Sequence, residues 1–231
     1  MPEHKSATVV VIHGAWADGS SWEPVIRRLQ SQCLTVTAAP IPLTSLSDDA
    51  AALRRTIART EGPVIVAAHA YAGAVAGTAN GERVKALVYI AALAPDEGET
   101  VAEVFYREES HAKAPKLAPD ADGFIWMPDD SFADAFAQNA TGEQIALCRA
   151  VQRPISVKCI QEPLAAPSWK TKPAWYLVAE EDRMINPKTQ RFMAERMKAT
   201  TRPFAVDHTP LLTAPERVAE IILEAARATM G

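Results

Sequence analysis

Short apolar runs recur along the chain at Thr8–Ile12, Leu34–Ala38, Val64–Ala67, Val84–Ile90, Ala174–Val178 and Pro203–Val206. Most are hydrophobic almost without a break, where a half-buried strand would alternate. That is the pattern of parallel strands covered on both faces. Stretches of helical period separate them. Trp22–Gln30 follows the capping residues Ser20 and Ser21, and Asp48–Thr60 places Ala52, Leu53 and Ile57 on one face. Pro187–Met197 carries Thr189, Phe192, Met193 and Met197, and Glu216–Ala228 opens behind Pro215 with Val218, Ile221, Ile222 and Ala225 on one stripe. Strands alternating with helices predict an α/β protein with a doubly wound, mostly parallel sheet, whose ligands sit beyond the carboxyl ends of the strands.

The alternation stops between residues 101 and 167, where no buried strand is predicted. Amphipathic helical pieces at Val101–Arg107, Ser131–Asn139 and Glu143–Val151 are joined by proline-rich loops. The segment holds Phe105, Tyr106, Phe124, Trp126 and Phe136, a large share of the few aromatics. Falling between the fourth and fifth strands, it reads as a helical cap inserted into one domain spanning residues 1–231. The plainer alternative is an edge insertion with no part in ligand binding.

Composition narrows the picture. Of 231 residues, 48% are hydrophobic and 23% charged, enough for a sizeable core and against disorder. A net charge of −4 offers no footprint for nucleic acid or an anionic membrane. Cys33, Cys148 and Cys159 form no C-x-x-C pair and read as reduced thiols. The polar start Met-Pro-Glu-His-Lys-Ser lacks the basic and long apolar parts of a signal peptide. Nowhere do eighteen apolar residues run without a charge, so no membrane span is expected. The expectation is a cytoplasmic protein, possible as a homodimer.

The most informative stretch begins at Pro63. An apolar strand runs into Ala68-His69-Ala70-Tyr71-Ala72-Gly73 and then a helix of small residues. Small side chains are required where a chain reverses sharply from strand to helix and the two nearly touch. The nucleophile elbow of hydrolases, Gly-x-Ser-x-Gly, has this form. Here Ala70 stands where that motif has serine.

With these residues the chain resembles the α/β-hydrolase superfamily, and within it the small bacterial hydrolases related to plant methyl esterases and hydroxynitrile lyases. Ile12-His13-Gly14-Ala15-Trp16-Ala17-Asp18-Gly19-Ser20-Ser21-Trp22 resembles that branch's oxyanion loop. Val84–Thr100, Gln152-Arg153-Pro154-Ile155 and Lys172–Val178 are similar to its cap entrance, cap exit and following strand.

The resemblance implies a triad in the order nucleophile, acid, histidine. Asp182 matches the acid position, with Glu181 and Asp96 as further candidates. His208, in Val206-Asp207-His208-Thr209-Pro210, matches the general base. The oxyanion hole is implied to be the backbone N–H groups of Ala15 and Tyr71. Trp16, His69, Phe105 and Trp126 are the expected substrate contacts, with Trp22 either lining the pocket or packing at a helix start. His13 is read as ordering the oxyanion loop and His69 as also supporting the elbow, while His4 and His111 read as exposed. No histidine pair has metal-ligand spacing, and Asp18, Asp48, Asp49, Asp129 and Asp130 read as loop or capping acids. Neither a metal nor another cofactor is expected, and no G-x-G-x-x-G or Walker loop is present.

Alanine cannot form an acyl-enzyme. Three readings remain open. Ala70 is a change made in an esterase-like hydrolase; or the His208–Asp182 pair works alone on water or substrate, as in cofactor-free oxygenases and lyases of the superfamily; or the protein binds a small molecule without turnover. Of these, the sequence favours an enzyme for a small, apolar ester or carbonyl substrate.

Overall fold

The computed structural model describes residues 7–230, so the polar N-terminal stretch and His4 lie outside the described residues. In order, the chain forms β1 (Thr8–Ile12), α1 (Glu23–Ser31), β2 (Thr35–Ala39), α2 (Leu46–Ala58), β3 (Val64–His69), α3 (Ala72–Ala76) and β4 (Val84–Ile90). An insertion follows, with α4 (Val101–Phe105), β5 (Phe124–Ile125), α5 (Gly142–Val151), β6 (Ile155–Ser156) and α6 (Val157–Gln161). The chain returns through β7 (Ala174–Ala179), α7 (Pro187–Arg196), β8 (Thr200–Phe204), α8 (Pro210–Thr213) and α9 (Pro215–Met230).

Six strands pair in the order β2-β1-β3-β4-β7-β8, all parallel. Alternate residues of each strand feed two cores. Val9, Val11, Ile65 and Val88 pack with Val25, Leu29, Val218 and Ile222 of α1 and α9. Val10, Ile12, Val66 and Leu87 pack with Leu53, Val75 and Met193 of α2, α3 and α7. Both faces are dry, so the strands need apolar residues at consecutive positions. Burying each such side chain contributes roughly 1.5–3 kcal/mol. This is the doubly wound α/β architecture.

The topology also locates a crevice. β1 lies between β2 and β3, so the chain leaves it first to one side and then to the other. The loops after β1 and β3 therefore diverge at their carboxyl ends, the place where open α/β sheets bind ligands. Helix α3 comes so close to the segment after β4 that a Cβ on Gly73 would stand 2.3 Å from the Leu93 carbonyl oxygen. Only glycine fits there.

The structure corrects several local expectations. The last strand is Thr200–Phe204, which starts three residues earlier than the apolar run Pro203–Val206 and ends two residues sooner. As the sheet edge it is half solvated and needs no continuous apolar run, while buried Val206 already belongs to the following loop. Ser20 and Ser21 do not cap α1. They form a 3-10 turn, Gly19–Trp22, capped by the Asp18 carboxylate accepting from the Ser20 N–H. Trp22 is fully buried in the core and lines no pocket. In the insertion, the expected helix at 131–139 is a single π-helical turn, Phe132–Phe136, closed by the Ala137 N–H on the Phe132 carbonyl. Two short strands, β5 and β6, pair antiparallel, and α6 forms a helix that the pattern did not single out.

Candidate active site

Ala70 occupies the turn between β3 and α3 with φ +51°. A side chain in this left-handed region costs about 1–2 kcal/mol. Three backbone hydrogen bonds hold the turn. The Ala70 N–H donates to the Ile90 carbonyl, and the Ala70 carbonyl accepts from Gly73 and Leu93. Opposite, the loop after β1 brings up Ala15 and Trp16. The Trp16 amide donates to the Arg153 carbonyl and its indole Nε1 to the Ile125 carbonyl (2.9 Å), so this loop is tied to the insertion at two points.

Between these elements lies a cavity enclosing about 600 Å³, its open mouth included. Its walls combine Ala15, Trp16, Ala70, Tyr71 and His208 with Leu93, Met184 and Ile185 of the sheet side, and Phe105, Leu117, Ile125, Ile155 and Ile160 of the insertion. The exposed ring of Tyr106 also lines it. Neither a carboxylate nor a cationic side chain of Lys or Arg is among the lining residues. A neutral, apolar ligand fits such walls, because charged groups lose hydration there without a partner.

His208 and Asp182 meet at this cavity. Imidazole Nδ1 donates to Asp182 Oδ2 at 2.8 Å, and both side chains are buried. Asp182 is itself fixed: Oδ1 accepts from the Met184 and Ile185 amides (2.7 and 2.9 Å), and Oδ2 also accepts from Gln190 Nε2 (2.7 Å). The loop leading into α7 is thus wrapped around its carboxylate. This arrangement makes Nδ1 the protonated nitrogen, leaving Nε2 as a base on a residue that lines the cavity. The amides of Ala15 and Tyr71 have no hydrogen-bond partner among the described residues.

The other predicted residues fall into place unevenly. Trp16 and Phe105 line the cavity. Trp126 does not. Its ring is half exposed and its Nε1 donates to Asp120, while the neighbouring Ile125, the last residue of β5, takes the inward place. His69 is also absent from the cavity wall. It lies behind the turn, with Nε2 donating to the His208 carbonyl at 2.7 Å and the two rings 4.9 Å apart. Burial first, then the neighbouring His208, pulls its pKa from 6.5 down to about 3, so it stays neutral. His13 is likewise buried, with Nδ1 hydrogen-bonded to the Gly14 carbonyl, and burial lowers its pKa. Exposed His111 accepts from the Lys113 amide. Asp96 pairs with Lys170 at 2.6 Å and has no contact with His208, and the exposed Glu181 has none either.

Two buried acids carry more than the sequence suggested. Asp49, read as a loop or capping acid, is fully buried. It accepts from Tyr71 Oη (2.6 Å), the Leu43 amide (2.8 Å) and Cys159 Sγ (3.7 Å). Burial raises its pKa, sends that of Tyr71 well above 10, and pushes the Cys159 thiol up to about 12. Only its place in the first turn of α2, next to Asp48, hinted at a role. Asp207, beside His208, was not singled out, and no spacing signal marks it. Among the described residues no group of three or more His, Cys, Asp or Glu could hold a metal ion, and no helix is long and apolar enough to cross a membrane.

Comparison with known proteins agrees with this fold. A sequence profile of the alpha/beta hydrolase family matches residues 9–221. Among solved structures, polyneuridine aldehyde esterase superposes with a TM-score of 0.83 at 17% identity, covering 95% of this chain and 99% of its own. A pyrethroid hydrolase from Sphingobium faniae JZ-2 gives 0.82 at 21% identity, covering 97% and 98%. A variant of tomato methylketone synthase I gives 0.84 at 16% identity, covering 97% and 99%. Such identities speak for the fold alone. A search of curated proteins found no match.

Proposed function

The chain belongs to the alpha/beta hydrolase family, and on that premise we propose that it is an enzyme for a small, apolar ester or other carbonyl compound, working by acid–base chemistry without a covalent intermediate. The observation that carries this reading is the buried His208–Asp182 pair at an apolar cavity lined also by Ala15 and Tyr71, whose amides have no partner among the described residues. The similarity to an esterase, a hydrolase and a methylketone synthase supports carbonyl chemistry as the common theme.

In this mechanism Asp182 holds the imidazole so that Nε2 takes a proton from water, and the hydroxide adds to the carbonyl carbon. The amides of Ala15 and Tyr71 receive the developing oxyanion. When the intermediate collapses, the departing alkoxide takes back the proton from Nε2. The insertion serves as the cap, closing the cavity with Phe105, Ile125 and Ile155. Because Ala70 has no lone pair, the turn contributes geometry and an amide, not a nucleophile.

The test compares the protein with its Ala70→Ser and His208→Ala variants on p-nitrophenyl acetate. Loss of a triad nucleophile costs about 10⁶ in kcat while leaving about 10³–10⁴ over water. Ala70→Ser is therefore expected to raise turnover by at least about 10²-fold, and His208→Ala to abolish the basal rate. A folded Ala70→Ser variant with no gain overturns the assignment of the elbow and its base. Absent basal turnover, together with unchanged ligand affinity in His208→Ala, identifies a binding protein instead.

A further inference from the structure

His208 already has one carboxylate, Asp182, yet a second buried acid stands next to it in the chain. Asp207 is fully buried, and burial raises its pKa. Its Oδ2 accepts from the Asn139 amide of the insertion (3.0 Å), and its Oδ1 from the Thr213 hydroxyl at the end of α8 (2.5 Å). It lines no part of the cavity. A buried carboxylate is a costly way to satisfy one amide and one hydroxyl, and its return is strength, since charged acceptors make hydrogen bonds about twice as strong as neutral ones.

What the bond to Asn139 joins is specific. The π turn at Phe132–Phe136 and the residues just after it make their polar contacts with the two loops that carry the pair. The Thr209 hydroxyl donates to the Phe136 carbonyl (2.5 Å). Gln138 Nε2 donates to the Glu181 carbonyl (2.8 Å), and Arg183 Nη1 to the Asp134 carbonyl (2.8 Å). The Phe136 ring packs against His208, centroids 5.5 Å apart. The histidine loop is thus gripped on one side by the insertion and on the other by α8: Thr209 reaches both from one flank of His208, through its hydroxyl and its carbonyl, and Asp207 reaches both from the other flank through its carboxylate.

We propose that Asp207 is a positioning residue, which fastens the insertion and α8 to the histidine loop and thereby keeps the His208 ring on Asp182 and against Phe136. It acts through His208 and touches no substrate. The inference rests on the proposed function only in taking His208 as the working base, so its main readout needs no turnover.

The experiment follows the Nδ1 proton of His208 by NMR in histidine-labelled protein. Its exchange is compared with that of the β1 and β3 amides, which report global opening. Asp207→Ala is expected to speed exchange of this proton at least tenfold relative to those amides. Asp207→Asn, which keeps one acceptor oxygen of the same shape but loses the charge, is expected to fall between the parent and Asp207→Ala. In the Ala70→Ser background, Asp207→Ala should lower kcat about tenfold at nearly constant KM, since only the base is misplaced. If Asp207→Ala does not fold, Thr213→Val removes one of the two contacts and should give a smaller acceleration of the same kind. The proposal is overturned if the folded variant loses melting temperature while the Nδ1 proton keeps its exchange rate relative to the strand amides. An inactive Ala70→Ser protein with accelerated exchange in Asp207→Ala instead leaves the positioning role standing and removes the proposed chemistry.

Discussion

Acid should weaken this fold through His69, which lies behind the cavity wall. Its ring is almost wholly buried, Nε2 is committed to the His208 carbonyl, and Nδ1 has no partner among the described residues. Its pKa in the folded state is about 3, set by burial and then by His208, against about 6.5 in an unfolded chain. Between those values the unfolded state binds a proton that the folded state refuses, so stability falls as pH falls. The gap of about 3.5 pH units at 1.36 kcal/mol each amounts to about 5 kcal/mol, fully present above pH 6.5 and gone near pH 3. Between roughly pH 7.5 and 4.5 the loss is about 3 kcal/mol, a large part of the 5–15 kcal/mol typical of a domain. His13, also lowered by burial, acts in the same direction. Asp49 and Asp207 oppose it, because burial raises their folded pKa and they take protons earlier when folded. The assay isolates His69 by urea unfolding of the protein and of His69→Gln, whose amide can still donate to the His208 carbonyl. Over that range the protein should lose about 3 kcal/mol more than the variant. Parallel stability curves for the two would refute the argument.

Three substitutions probe other parts of the same end of the sheet. Gly73→Ala forces a Cβ to within 2.3 Å of the Leu93 carbonyl, and should cost 3 kcal/mol or more by pushing α3 off the sheet, seen as a collapse of the melting temperature or as insoluble protein. Asp49→Ala strands the Tyr71 hydroxyl and the Leu43 amide in the interior. At about 1–3 kcal/mol per orphaned group it should cost 2–5 kcal/mol by chemical denaturation, while Asp49→Asn recovers at least half. Tyr89→Phe should be neutral or stabilising by up to about 1 kcal/mol, because its buried hydroxyl has no partner among the described residues; a clear loss of stability would reveal a bound water in that place.

How far the sequence could be read depends on which physical signal each feature leaves. The central strands were legible because two dry faces demand consecutive apolar residues, as in Val9–Ile12 and Val64–Ala67. The edge strand Thr200–Phe204 was not, since half its residues face solvent and its pattern resembles a loop. Chain order and motif pointed to His208 and Asp182, and the structure brings these two together. Cavity contacts were harder. Trp126 and Ile125 are neighbours, and it is Ile125, held in β5 by its pairing with Ile155, that lines the cavity, while Trp126 just past the strand turns out to Asp120. Asp49 and Asp207 left almost no trace, because a buried acid is made by the partners around it. Those partners, Tyr71 and Leu43 for one and Asn139 and Thr213 for the other, lie near or far along the chain without a fixed spacing.

The strained positions argue that the geometry at Ala70 does not depend on what its side chain carries. Trp16, Ala70 and Ala91 adopt φ of +57°, +51° and +44°, all within four residues of the carboxyl ends of β1, β3 and β4. At about 1–2 kcal/mol each, these left-handed residues represent 3–6 kcal/mol of strain gathered at one end of the sheet. Contacts already present offset it: the two bonds from Trp16 to the insertion, the three at Ala70, and the Ala91 amide on the Leu177 carbonyl. None of them involves a side chain at position 70. A hydroxyl added there meets a turn already formed, an imidazole already held by Asp182, and two amides without partners among the described residues. Ala70→Ser thus adds one oxygen to a turn that is already formed, which is why its turnover tests the proposed site and not a refolded loop.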